Sequence, residues 1–221
     1  MSIAAKRQLI LLRHGQTEYN ANDRMQGQLD TDLTELGRTQ AKDAAAVLAA
    51  RSPLRIVSSD LKRAFDTASA LGDAAGLAVT SDERLRETHL GEWQGLTHHD
   101  VDAVAPGARL RWRADAQMAP PGGENRVDVA RRSVPVVQEL VAALPEWGAS
   151  GADHPVVLVA HGGLIAALTA ALLDLPVDRW PVFGGLSNTS WVQLSSHGDV
   201  ADLGWRLDVW NASARVASDV L

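Results

Sequence analysis

Residues 9–12 read LILL and residues 155–160 read PVVLVA, with no polar position in either run. Apolar runs this short and uninterrupted mark strands buried on both faces, which belong to parallel sheets covered by helices on either side. Between the two runs the hydrophobic period changes from two to that of a helix. Residues 34–51, TELGRTQAKDAAAVLAAR, place Leu36, Ala44, Val47 and Leu48 on one side of a helix with Thr34 as N-cap. RIVSSD, 55–60, is expected to be a strand leading into a cap, and residues 61–76 a helix capped by Ser59 or Asp60 and closed by Gly76. LAVT, 77–80, then makes a short strand. Val127, Ala130, Val134, Val137, Val141 and Leu144 recur at helical spacing, with Pro135 inside the stripe predicting a kink or a late start. After the second apolar run comes a helix carrying Leu164, Ile165, Leu168 and Leu172, and strands near TSWVQL and GWRLDVW finish the chain. Trp205 and Trp210, an odd number of positions apart on one strand, are expected to face opposite ways.

This alternation argues for strand-helix-strand units and an α/β fold: three layers, α/β/α, around a mostly parallel central sheet. At 221 residues the chain fits one domain spanning 1–221. Residues 84–125 are rich in Gly and Pro and periodic only near 97–104, so we expect an insertion there, beside one edge of the sheet and over the site.

Composition narrows the function. A net charge of −6 with the two signs intermixed leaves no basic footprint for nucleic acid, and no apolar run approaches membrane-span length. The N-terminal apolar run is too short for a signal peptide and ends in charge, so a cytoplasmic protein is expected. With no cysteine in the chain, disulfides, thiolate metal sites and thiol nucleophiles are excluded together.

The candidate chemistry lies where the two buried runs stop. One ends in Arg13-His14-Gly15 and the other in His161-Gly162-Gly163, and in open α/β sheets ligands bind outside the carboxyl ends of strands. Arg63 adds a cation in the first turn of its helix, where the macrodipole disfavours one, unless it merely pairs with Asp66 in solvent. If Arg13, His14, Arg63 and His161 converge, they form a compact cationic pocket on an acidic protein, suited to a phosphate monoester. No divalent-metal signature and no phosphate-binding GxxxxGK[ST] loop is evident, so no metal or cofactor is expected and a histidine nucleophile remains. The leaving alkoxide needs a proton donor; Glu83, Glu87 and Glu92 are all placed to supply it, and Glu87 could instead pair with Arg84 or Arg86. His98 and Asp102, at i and i+4 on a short helix, read as a solvated face, because two ligands do not make a metal site.

The segments LRHGQTEYN, SSDLKRAFDTA, LRETHLGEWQG and VAHGG, taken in order, resemble the histidine phosphatase superfamily, also called phosphoglycerate mutase-like. That resemblance implies His14 as the phosphorylated nucleophile, Glu87 as the proton donor, and Arg13, Arg63 and His161 as the phosphate-binding groups. Asn20, Gln26 and Gly162 match positions that line the same pocket. Within the superfamily, RMQGQLDTDLTELGRTQA, APGARLRWR, GGENRVDVARRS and the C-terminal WRLDVWNASARVASDVL are similar to an actinobacterial group of metal-independent, dimeric phosphatases acting on a glucosylated phosphoglycerate. A homodimer acting on a small phosphorylated metabolite is therefore expected, with a phosphoglycerate mutase or a broad-specificity phosphatase as the alternative.

Overall fold

The computed structural model describes residues 6–149, 154–197 and 204–214; residues 215–221 of the C-terminal ending lie outside them. In chain order the elements are β1 (Lys6–Arg13), α1 (Glu18–Ala21), α2 (Glu35–Ala49), β2 (Arg55–Ser58), α3 (Lys62–Ala75), β3 (Val79–Ser81), α4 (His98–Val104), α5 (Ala108–Ala114), α6 (Arg126–Ala143), β4 (Val156–Ala160), α7 (Gly162–Leu172), β5 (Trp191–His197) and β6 (Gly204–Ala212). Six strands form one sheet in the order β3-β2-β4-β1-β5-β6. β1 to β4 run parallel, and β5 and β6 continue the sheet as antiparallel additions.

The alternation of β1 explains why LILL carries no polar residue. Leu9 and Leu11 enter a core shared with α6 and α7, through Val129, Val137, Leu164 and Leu168. Ile10 and Leu12 enter another on the opposite face, shared with α2 and α3 through Ala44, Leu48, Ala64 and Leu71. With period-two side chains, a strand between two helical layers must be apolar at every position. β4 has all five residues buried for the same reason.

Several expectations are corrected. On α2 the buried stripe is Gly37, Ala41, Ala44, Ala45 and Leu48, while Leu36 and Val47 are exposed at 45% and 36%. Small residues face inward because α2 approaches the first loop closely: a Cβ on Gly37 would sit 2.0 Å from the Gln16 carbonyl oxygen. Neither Ser59 nor Asp60 caps α3. Its N-cap is Leu61, and the first free N–H, from Lys62, donates to Asp30 at 2.7 Å. α6 runs unbroken through Pro135, so it does not start late. An extra residue between Leu207 and Val209 inverts the alternation of β6, and Trp205 and Trp210 pack against the same core rather than facing opposite ways.

Residues 82–125 hold a second short helix, α5, that hydrophobic spacing does not reveal: Leu110 is 71% exposed and only Ala108 is buried, so ARLRWRA has no stripe. The segment has a small core of its own, Leu90, Trp93, Val101 and Ala108 around Met25, and it is tied to the first loop by Met25 N–H to the Leu96 carbonyl and Gly95 N–H to the Met25 carbonyl.

Candidate active site

Pairing in the sheet brings the two histidines together before any side chain is considered. Arg13 lies opposite Ala160 in the β1–β4 ladder, so His14 and His161 are the next residues of two parallel neighbours. Strand spacing is about 4.8 Å, and the ring centroids are 5.2 Å apart. β1 and β4 are also where chain connections diverge to opposite sides of the sheet, the place where such folds open a crevice.

His14 is 2% exposed, and its Nδ1 lies 2.7 Å from the Gly15 carbonyl oxygen. A carbonyl can only accept, so Nδ1 carries the proton and the Nε2 lone pair faces the cleft, where Arg63 Nε–H donates to it at 3.3 Å. Burial, then the charges of Arg63 and Arg13, hold the His14 pKa well below the usual histidine range, opposed only by the Gly15 bond. The imidazole is neutral at physiological pH. His161 is fully buried and depressed likewise, by burial first and then by Arg63, His14 and Arg13. Gly15, behind His14, packs so tightly on α2 that a Cβ would lie 2.4 Å from the Gly37 carbonyl oxygen.

Arg63 is no surface residue. Its guanidinium is buried, with Nη1 and Nη2 donating to the Leu29 and Gly27 carbonyls at 2.7 Å each. Asp66 pairs with Lys62 instead, which removes the solvent-pair reading. Burial pulls the Arg63 pKa down to about 10, which still leaves it charged near neutrality. Arg13 donates through Nη1 to the Leu186 carbonyl, and burial lowers its pKa while Glu87 opposes the shift.

Among the described residues, three buried polar atoms at this end of the cleft have no partner: Arg13 Nε and both ring nitrogens of His161. Each unsatisfied buried group costs about 1–3 kcal/mol. A ligand rich in oxygen atoms and negatively charged would satisfy them while meeting two fixed guanidiniums.

Of the three candidate glutamates, only Glu87 lines the cleft. Arg84 and Arg86 are engaged by Asp82, Glu139 and Asp60, so the surface pairing is not formed. The Glu87 carboxylate caps the start of α7: Oε1 accepts from Thr88 N–H at 2.8 Å and Leu164 N–H at 3.0 Å, and Oε2 from Gly163 N–H at 3.0 Å. A Cβ on Gly163 would fall 2.6 Å from Oε1, so any larger residue there would have to displace the carboxylate. Arg132 on α6 holds the Glu87 backbone by donating to the carbonyls of Arg84 (2.7 Å) and Glu87 (2.9 Å) while paired to Glu124.

Asn20, Gln26 and Gly162 line the same cleft of about 500 Å³. Asn20 Oδ1 accepts from Asn188 Nδ2 at 3.1 Å, and that amide also donates to the His14 carbonyl at 3.1 Å. Gln26 Oε1 accepts from Thr31. His98 also lines the cleft, half-buried, which corrects its assignment to a solvated face; Asp102 is bound by Arg109. Sequence reasoning missed the outer wall: Arg24, Arg109, Trp112, Arg113 and Arg126, with Phe183 and Leu186 from the loop after α7. The signal available was arginine density, ARLRWR in a chain of net charge −6. Among the described residues no group of three or more metal-binding side chains is found.

The model of the histidine phosphatase superfamily, branch 1, matches residues 9–213. The chain is 69% identical over 222 residues to the glucosyl-3-phosphoglycerate phosphatase of Mycolicibacterium vanbaalenii, covering 97% of this chain and 99% of that one. A solved mycobacterial glucosyl-3-phosphoglycerate phosphatase in complex with VO3 superposes with a TM-score of 0.92 at 68% identity, over 94% of this chain and all of that one. The corresponding complex with inorganic phosphate gives 0.90 at 67% identity, over 95% and 99%.

Proposed function

The chain belongs to the histidine phosphatase superfamily, branch 1, and on that premise we propose that it hydrolyses glucosyl-3-phosphoglycerate to glucosylglycerate and phosphate through a phosphohistidine on His14. The single observation that carries this reading is the fixed tautomer of His14. Its Nδ1–H is committed to Gly15, which leaves the lone pair on Nε2, facing the cleft beside Arg13 and His161 with only the 3.3 Å contact from Arg63 Nε–H upon it.

In this mechanism the phosphoryl dianion sits between the Arg13 and Arg63 guanidiniums, with His161 on a third oxygen. The Nε2 lone pair forms the N–P bond while the ester P–O bond breaks. Phosphoryl transfer demands mainly charge stabilisation and an aligned nucleophile, and the two charges and the fixed ring supply them. Glu87 gives its proton to the departing alkoxide. A carboxylate offers about four lone-pair sites; backbone N–H groups take three at Glu87, leaving one on Oε2 for the proton. Water then attacks phosphorus, Glu87 takes its proton, the N–P bond breaks, and His14 returns neutral. No step calls on a metal.

We extend the proposal to assembly and location: a homodimer in the cytoplasm. Support for the dimer is the aromatic-rich edge strand β6, which has no neighbour on its outer side among the described residues. Light scattering at micromolar concentration should give twice the chain mass; a monomeric mass would refute it.

The functional test is a panel of phosphorylated metabolites including glucosyl-3-phosphoglycerate, read for inorganic phosphate and for 2-phosphoglycerate. Phosphate release, with the glucoside the preferred substrate, is the expected result. Formation of 2-phosphoglycerate from 3-phosphoglycerate without phosphate release would make the protein a mutase instead.

A further inference from the structure

The cleft is larger than its reactive end. Its volume of about 500 Å³ exceeds what a phosphoryl group fills, and its outer wall, on α5 and at the start of α6, presents donors with nothing to receive them. Trp112 Nε1 is buried without an acceptor. The ring itself is held in place: Trp93 packs edge to face at 5.9 Å, and the Arg126 guanidinium lies 5.7 Å from its centroid. Arg113 and Arg126 line the same wall, and among the described residues neither guanidinium donates to an acceptor. Their neighbour Arg109 differs, being bound through two nitrogens to Asp102. Arg113 and Arg126 lie within each other's field, with the charges of Asp115 and Glu87 opposing on Arg126.

The two guanidiniums and the indole N–H on this wall are all donors. The complementary ligand must bring oxygen lone pairs and a negative charge. Planar guanidinium forks match a carboxylate, whereas a neutral polyol alone would bring no negative charge to either guanidinium. An indole N–H, which cannot accept, matches a hydroxyl oxygen.

We propose that Arg113, Arg126 and Trp112 Nε1 form a leaving-group subsite, in which the two guanidiniums take the carboxylate of the glyceric-acid portion and the indole donates to a hydroxyl of the attached sugar. This rests on the functional reading above and adds to it the residues that choose the substrate. Contacts made far from phosphorus then contribute to kcat/KM by fixing the ester in line with His14.

The experiment compares kcat/KM for three esters: glycerol 3-phosphate, 3-phosphoglycerate and glucosyl-3-phosphoglycerate. The first pair differs by the carboxylate and the second by the sugar. In Arg113→Gln and Arg126→Gln the preference for 3-phosphoglycerate over glycerol 3-phosphate should fall about 10- to 100-fold, with Arg113→Lys intermediate. In Trp112→Phe, which keeps a ring and removes the N–H, the preference for the glucoside over 3-phosphoglycerate should fall about 5-fold. Because each ratio is internal to one preparation, partial misfolding does not move it. Wild-type ratios in all the variants would overturn the subsite while leaving the phosphatase intact. A wild-type protein that releases phosphate from none of the three esters would overturn the functional reading, and the subsite with it.

Discussion

The two ends of one cleft are built differently. At the inner end, Arg13, His14 and His161 stand where adjacent strands stop, and Arg63 is clamped by two backbone carbonyls; all four are fixed by the sheet and by α3. At the outer end, Trp112 and Arg113 sit on a seven-residue helix in a segment with its own small core, and the Arg113 and Arg126 guanidiniums reach the cleft without an acceptor among the described residues. Chemistry common to many esters needs atoms held to fractions of an ångström, and regular elements provide that rigidity. Choice among esters needs a wall that can differ without disturbing the sheet, which irregular connections provide.

The sharpest way to break the comparison is at the inner end. Replacing His14 by Ala removes the proposed nucleophile, and turnover of every ester should fall by at least about 10³-fold. Steady-state phosphate release measures this, and retention of near wild-type rates would contradict the assignment.

Glu87→Gln keeps the shape of the side chain and can cap through its one carbonyl oxygen, but its NH2 cannot accept from the remaining backbone N–H and it cannot shuttle a proton. Alkyl phosphates should lose about 10²- to 10⁴-fold in kcat, and p-nitrophenyl phosphate far less in its first step, because its leaving group departs without protonation. Equal losses on both would remove the acid role.

Arg132 joins the two ends, because it holds the backbone that carries Glu87. In Arg132→Met the loss on alkyl esters should be about 10-fold and should follow the same leaving-group pattern. A uniform loss, or a change in KM alone, would make it a scaffold residue only.

Gly163→Ala forces a methyl against Glu87 Oε1 and should destabilise the fold by about 1–3 kcal/mol, read as a drop in Tm, with a lowered kcat.

The smallest effect is on pH dependence of stability. His14 and His161 bind protons less tightly folded than unfolded, so between their depressed folded pKa values and about 6.5 the unfolded chain holds more protons. Stability is therefore complete above that upper limit and falls as pH drops through it, by up to about 1.4 kcal/mol per pH unit for each histidine. Urea unfolding at a series of pH values should show this slope, and replacing His161 by Phe should reduce it.

How legible each part was in the sequence follows from the same contrast. The LILL stretch of β1 and the whole of β4 were readable because burial on both faces leaves no polar residue there, and their ends delivered Arg13, His14 and His161 directly. Arg63 was visible as a cation at the wrong end of a helix; its buried clamp was not, since Gly27 and Leu29 are distant in sequence. Glu87 could not be told from Glu83 and Glu92 by spacing, because what selects it is the cap it makes on α7, 76 positions on. The outer wall stayed hidden since α5 has no apolar stripe and its arginines look like ordinary surface charge. Trp210 was misjudged because a bulge, which leaves no mark in hydrophobic alternation, inverts β6.

The central claim is that the neutral His14 ring takes the phosphoryl group on Nε2. Acid-free rapid quenching of the wild-type protein with substrate, followed by peptide mass spectrometry, tests it most directly. The account predicts an acid-labile, base-stable phosphoryl adduct on the peptide containing His14, formed and lost at rates consistent with turnover and absent in His14→Ala. Full turnover with no adduct on that peptide, or with the adduct on another residue, would contradict it.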